Sequence, residues 1–366
     1  MLKEIPYLDL SVKDTKLKAE LLDAVNRVLT HGRLILGPEV IELEHSIASY
    51  CGRKHAVGVS SGSDALSLAL TSLGIGPGDE VITTPMSWIA TANAITLCGA
   101  KPVFVDVSED FNINPDLIPA AITSRTKAIL PVHYTGKVCD MPKIMDIAKA
   151  HNLFVIEDAA QAFGSTHKGA MAGSFGDIAC FSMNAMKVFN AFGDAGAVVC
   201  NDDELNKKLT ILRYAGTVDK EDCHYPSSNS RMDTIQAAML LVNLKGLGDK
   251  IAKRRRIASQ YSESLKNLVT CPYDDSDSLH TYYTYTIICE ERDELKRFLQ
   301  SKAIECKIRH PILMPQHKAY QRFSTPPLPI AEYLVKQILC LPNHENLSPN
   351  EVETISSYIK EFYDAR

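Results

Sequence analysis

Tryptophan is nearly absent from this chain: Trp88 is the only one in 366 residues. Long apolar runs are missing too. The longest, such as the one around Ile95 to Gly99, fall far short of the ~20 residues that cross a bilayer, so no membrane partner is expected. Basic charge is not in excess, with 39 Lys and Arg against 44 Asp and Glu and a net charge of −5, which leaves no global field for nucleic acid. The ten cysteines, spread from Cys51 to Cys340, include no C-x-x-C pair, and many sit in apolar strands. That pattern reads as reduced, buried thiols and not as a metal cluster. The opening "MLKEIPYLDLSVKD" has neither an apolar core nor a small-residue cleavage site, so the expected location is the cytoplasm. There is no internal repeat and no low-complexity tract.

What remains is an ordinary soluble composition, 45% hydrophobic and 23% charged. At this length one compact core is insufficient, and two domains are expected. Residues 15–30 place Leu17, Leu21, Leu22, Val25, Val28 and Leu29 at helical spacing before the turn "HGRLILGP". Short β-branched runs come next, "HAVGV", "EVITTP", "KPVFVDV", "KAILPVH" and "LFVIED", separated by helix-like stretches. This alternation predicts an α/β domain with a mostly parallel sheet covered on both faces. From Met232 the pattern becomes one long helix, "MDTIQAAMLLVNLKGLGDKIAKRRRIASQYSESL", and then a smaller α+β unit. The division is placed at 1–245 for the large domain and 246–366 for the small one.

Four features of the large domain bear on chemistry. In "SSGSDALSLAL" a strand gives way to a helix through small residues; Ser63 or Asp64 can cap it, and the exposed N–H groups of such a turn suit a phosphate. A plain helix cap has the same appearance. In "LFVIEDAAQAFG", Glu157 and Asp158 close a strand at the end where ligands of open parallel sheets gather, although alternation forbids both from pointing inward. Trp88 comes after another strand end and offers either a core filler or a face for a planar heterocycle. Lys187, in "FSMNAMKVFNAFGDAG", is the only full charge between Asp177 and Asp194. It must reach solvent, find a partner, or lose its charge by reacting. A phosphate cradle, an aromatic face, a carboxylate and a lysine amine are together the requirements of pyridoxal phosphate chemistry.

Several segments in order, "IPYLDL", "LILGPEVIELE", "GIGPGDEVITTPMSWIATANAI", "KPVFVDV", "VIEDAAQAFGS", "GDIACFSMNAMK", "GDAGAVV" and "NSRMDTIQAAML", resemble the DegT/DnrJ/StrS family of nucleotide-sugar aminotransferases. The resemblance implies a three-layer large domain of the aspartate aminotransferase type, with a mostly parallel mixed sheet and a smaller C-terminal α+β domain. It implies pyridoxal 5'-phosphate as cofactor, passing through pyridoxamine 5'-phosphate. By position it implies that Lys187 forms the Schiff base, that Asp158 partners the pyridine nitrogen and that Gln161 contacts the ring hydroxyl. Gly62 and Ser63, with Ser182, match the phosphate site, and Trp88 the stacking position. Asn229 matches a residue that reaches the neighbouring subunit's cofactor, implying a homodimer with shared active sites. Arg33, Arg231, Arg309 and His310 are candidate anion contacts for the substrate. The implied reaction carries an amino group from L-glutamate to a keto-sugar, a nucleotide-linked 3- or 4-keto-6-deoxy sugar, by ping-pong turnover. The alternatives are a sugar dehydratase, in which histidine replaces the lysine, and a non-catalytic regulatory protein of the same fold. "MNAM" before the lysine and "GDAG" after it depart from the commoner pattern, and His310 falls where the resemblance assigns no role.

Overall fold

The computed structural model describes residues 4–219 and 221–365; residues 1–3 of the opening segment read for a leader lie outside it. The first helix, α1 (Thr15–His31), starts where the Asp14 carboxylate accepts the N–H groups of Lys16 and Leu17, and stops at Gly32 in the left-handed region, φ 71°. Its buried stripe is narrower than the sequence pattern. Leu21, Ala24 and Val28 pack against Ala238, Met239 and Val242, whereas Leu22 and Leu29 are 62% and 61% exposed. The second helix, α2 (Pro38–Cys51), leads into the sheet.

Five strands come first in the chain: β1 (His55–Val59), β2 (Glu80–Thr83), β3 (Lys101–Phe104), β4 (Thr126–Leu130) and β5 (Phe154–Asp158). With Ile178–Ser182 and Gly196–Cys200 they form one seven-stranded sheet, in the order β1, 196–200, 178–182, β5, β4, β2, β3. Pairing is parallel from 178–182 through to β3. The strand 196–200 runs antiparallel to both its neighbours, which makes the sheet mixed but mostly parallel, as expected. Separate apolar clusters cover its two faces, one around Leu43, Ile82, Val155 and Phe181, the other around Leu66, Val81, Ile156 and Val198. Val59 and Ser182 both lie opposite Gly196, so this register lines up the ends of three strands at one edge.

Two expectations need correction. The cap of the helix after β1, α3 (Gly62–Ser72), is neither Ser63 nor Asp64 but Ser61, whose extended backbone lets its Oγ accept the Asp64 N–H at 3.1 Å. The long helix from Met232 is two helices, Thr234–Lys245 and Leu247–Leu265, interrupted at Gly246. Glycine lacks the side chain that would make continuation favourable, and Gly246 instead closes the first helix with its N–H on Asn243 O and Leu244 O.

Beyond Gly246, the antiparallel strands Tyr285–Ile288 and Ile338–Leu341 and the helices Arg292–Ser301 and Pro349–Asp364 enclose a core of their own around Tyr261, Tyr285, Leu295 and Ile355. Ile5 belongs to that core as well. Its N–H donates to Ala303 O and its carbonyl accepts from the Glu305 N–H, each at 2.9 Å. No helix among the described residues is long and apolar enough to cross a membrane.

Candidate active site

A cavity of about 290 Å³ opens at the aligned strand ends. One end is built by close approach. A Cβ on Gly62 would lie 2.5 Å from Ser182 Cβ, so only glycine lets the first turn of α3 rest on the strand 178–182. A Cβ on Gly196 would lie 2.4 Å from Ser61 O, which holds the same turn from the other side. Gly62 and Ser63, whose N–H groups have no intrahelical acceptor, line the cavity with the Ser182 side chain. These donors at the positive end of a helix fit a phosphate, and the cradle is one that any side chain at 62 would fill.

Alternation along β5 divides the two carboxylates. Glu157 turns away and is fully buried. It accepts the N–H groups of Gly173, Phe175 and Gly176, each at 2.8 Å, meets His133 Nε2 at 3.0 Å and lies 3.6 Å from Arg53. Burial alone would raise its pKa; His133 and the backbone donors overcome that and hold it below the ordinary carboxylate value. Asp158 turns into the cavity. Its Oδ2 accepts the Thr91 hydroxyl at 2.8 Å and its Oδ1 the Ala160 N–H at 3.2 Å. Here burial prevails and the pKa is raised, even though both donors and Lys187 oppose it. A buried acceptor short of donors is suited to a protonated ring nitrogen placed beside it.

Lys187 is half-buried and does not lie out on the open surface. It sits in the same cavity, its ammonium 4.5 Å from the centroid of the Tyr283 ring. The loop that carries it is closed by backbone bonds from Met183 N–H to Ala195 O, Ala185 N–H to Gly193 O and Ala191 N–H to Met183 O. Buried Met183, Val188 and Phe189 anchor the loop, and the Asn184 amide ties it to Asp194 Oδ1 at 2.6 Å. That tie gives "MNAM" and "GDAG" a joint physical role, since Asn184 and Asp194 pin the two arms of the lysine loop at the cavity wall.

Gln161 lines the cavity, with its Oε1 accepting the Thr135 N–H at 3.0 Å. Trp88 is 63% exposed and so is no core filler; its ring lies 6.1 Å from that of His310. His310 takes a hydrogen bond with the Tyr134 hydroxyl at 2.9 Å through Nδ1. Burial, then the charges of Arg309 and Lys187, push its pKa down to about 3, so its imidazole is neutral near pH 7. Arg309 also lines the cavity and donates to the Tyr283 hydroxyl. The other expected residues lie elsewhere. Arg33 is exposed, Arg231 rests 4.6 Å from the Tyr214 ring, and Asn229 is exposed with its backbone bridged to Tyr214. None of the three lines this chain's cavity.

Ser87, Thr91, Asp194 and Tyr283 also line the cavity, and none of them stands out in the sequence as a site residue. Thr91 is within reach of sequence reasoning, being one helical turn after Ser87 in the segment that holds Trp88. Tyr283 is not, because it arrives from the C-terminal unit and sits in an ordinary strand pattern, "YYTYTIIC". A second cavity of about 400 Å³ adjoins the first, sharing Trp88, Tyr283, Arg309 and His310 and adding Tyr7, Lys307 and Asn343.

Such a site, at the carboxyl ends of a mostly parallel sheet with Lys187, Asp158 and the first turn of α3 converging, fits an enzyme of the aminotransferase class. The family model "DegT/DnrJ/EryC1/StrS aminotransferase family" matches residues 15–360, and the chain belongs to that family. It is 40% identical over 360 residues to a dTDP-3-amino-3,6-dideoxy-alpha-D-galactopyranose transaminase of Aneurinibacillus thermoaerophilus, covering 98% of this chain and 99% of that protein. It is also 40% identical over 366 residues to a pleiotropic regulatory protein of Geobacillus stearothermophilus, covering 98% of each. The crystal structure of NtdA from Bacillus subtilis, with bound cofactor PMP, superposes with a TM-score of 0.93 at 30% identity, covering 100% of this chain and 86% of that one.

Proposed function

We propose that this chain carries an amino group from L-glutamate to a keto-sugar borne on a nucleotide, by ping-pong turnover in the cytoplasm, and that the acceptor is a 3- or 4-keto-6-deoxy sugar. Pyridoxal phosphate is the cofactor, in keeping with the family and with the fit of the cavity. When bound, its ring draws electrons from the amino-acid carbon and so lets that carbon's proton move. The observation that carries the reading is the convergence of Lys187 and Asp158 in one cavity whose far end is the Gly62–Ser63–Ser182 cradle.

In this reading Lys187 holds the cofactor aldehyde and, once released, moves a proton as base and acid. Asp158 keeps the ring nitrogen protonated, Gln161 holds the ring hydroxyl, and Trp88 covers the ring face. Arg309 and His310 meet the substrate, with room for it in the adjoining cavity. Arg33, Arg231 and Asn229 are assigned to a partner's site in a homodimer. Support for that assembly comes from the apolar side chains left bare, Leu22, Leu29, Leu34, Ile35 and Ile41, each 47% exposed or more. The division into 1–245 and 246–366 belongs to the same proposal, supported by the separate core beyond Gly246.

The test is to load the protein with cofactor, add L-glutamate, and follow bleaching of the visible band and its return with a panel of nucleotide-linked keto-sugars. Lys187→Ala is expected to lose both. A dehydratase would instead consume sugar without taking up nitrogen. The name of the regulatory relative favours a second reading, binding without turnover. In that case glutamate would bleach nothing.

A further inference from the structure

A lysine that works as a base has to be neutral, yet an ordinary lysine, with a pKa of about 10.4, is almost wholly charged near pH 7. Its proton needs somewhere to go. Asp158 is committed to the ring nitrogen, and Glu157 faces the other side of the sheet. The group set against Lys187 is Tyr283, 7% exposed, with the ammonium 4.5 Å from its ring centroid. Arg309 approaches the same phenol from the small unit, donating to its oxygen with its guanidinium carbon 5.0 Å from the ring centroid.

The surroundings single out this phenol. Around Arg309, burial raises the pKa of Tyr7, Tyr134 and Cys340, so these stay protonated, and His310 is held neutral. Tyr283 is the exception. Burial would raise it as well, but Lys187 and then Arg309 outweigh burial and bring it below the usual phenol value. Among the described acidic groups facing Arg309, Tyr283 is thus the one whose ionisation burial does not block.

We propose that Tyr283 is the acid–base partner of Lys187, with Arg309 holding its phenolate. The Lys187 ammonium gives up a proton, its N–H bond breaks as an O–H bond forms on Tyr283, and a neutral amine and a neutral phenol remain. The reverse transfer restores the charged pair. The proposal rests on reading Lys187 as the reacting amine.

The test uses cofactor-loaded wild type, Tyr283→Phe and Arg309→Gln. In the pyridoxamine-phosphate form, where Lys187 is free, the ultraviolet tyrosinate signal of wild type minus Tyr283→Phe is expected to appear below pH 10, and Arg309→Gln is expected to move it upward. Single half-reactions with L-glutamate are expected to slow about 10²-fold in Tyr283→Phe with donor affinity little changed, and C2-deuterated glutamate should show a larger isotope effect than in wild type. Arg309→Gln, which keeps the hydroxyl, guards against a folding defect in the first variant and is expected to slow the same step. A tyrosinate signal only at pH 10 or above, or half-reactions at the wild-type rate in Tyr283→Phe, would each overturn the relay. The parent reading fails separately: if Lys187→Ala still exchanges its cofactor form with glutamate, Lys187 is not the reacting amine; if that variant is inert while Tyr283→Phe is normal, only the relay is wrong.

Discussion

Glu157 and Asp158 are consecutive carboxylates on one strand, both buried, and their surroundings push them in opposite directions. Glu157 has three backbone donors, a histidine and an arginine around it; Asp158 has one hydroxyl and one backbone donor. The pKa of the first is lowered and that of the second raised. A satisfied carboxylate of this kind contributes stability. An under-satisfied one facing a cavity is a site held ready for another donor, and it costs stability until the donor arrives. The alternation of the strand sends these adjacent carboxylates to opposite sides, one into a buried network and one toward the cavity.

The largest expected effect separates the two on activity. Asp158→Asn should lower turnover about 10³-fold, as removal of a charge aimed at the reacting system does. The same change is expected to leave the melting temperature of the cofactor-free protein unchanged or raised, because it removes a buried charge. A marked loss of stability in that variant would break the comparison.

Glu157→Gln is expected to do the reverse. Breaking a buried ionic network typically costs about 3–5 kcal/mol, measured by denaturant unfolding, since His133 and Arg53 lose their anion. Acid unfolding sharpens the contrast. The folded pKa of Glu157 lies below its unfolded value, so its contribution is present above the unfolded pKa of about 4.5 and is lost as pH falls through the lower folded value. Asp158 has the opposite sign, favouring the folded state more as it becomes protonated below its raised pKa. The stability of Glu157→Gln should therefore fall less steeply with acid than that of wild type, and that of Asp158→Asn more steeply.

The smallest effect is expected from Thr91→Val, which removes one donor from Asp158 and leaves its carboxylate facing the cavity. A loss of about 1 kcal/mol in cofactor affinity, read by equilibrium dialysis, is in proportion to one hydrogen bond.

Much of this is legible in the sequence because it is local. The strand ends, the glycine at 62, the stranded lysine and the paired carboxylates are each marked within a few residues. Alternation alone requires Glu157 and Asp158 to part, though not which of them faces inward; that depends on the loop 173–176, whose backbone donors capture Glu157. The break at Gly246 is not legible, because an apolar pattern that continues at helical spacing on both sides does not register a one-residue interruption. The apolar stripe of α1 is wider in sequence than in the fold, since burial depends on what packs opposite, and Leu22 and Leu29 lie outside the cluster made with the helix Thr234–Lys245. Tyr283 and Arg309 are out of reach as a pair. They meet Lys187 only because the C-terminal unit folds back on the sheet, and nothing in their own segments marks the meeting.

The pairing of Ile5 with Ala303 and Glu305 sets an order in time. During synthesis, the backbone of Ile5 and Tyr7 meets its hydrogen-bond partners only after some three hundred further residues have emerged, so docking of this edge comes late in folding. Tyr7, whose N–H meets Glu305 Oε2 at 3.0 Å, also walls the cavity beside Trp88 and Tyr283. Residues 5–7 thus complete the pocket late, and a chain cut short before Glu305 would carry its lysine loop without that wall.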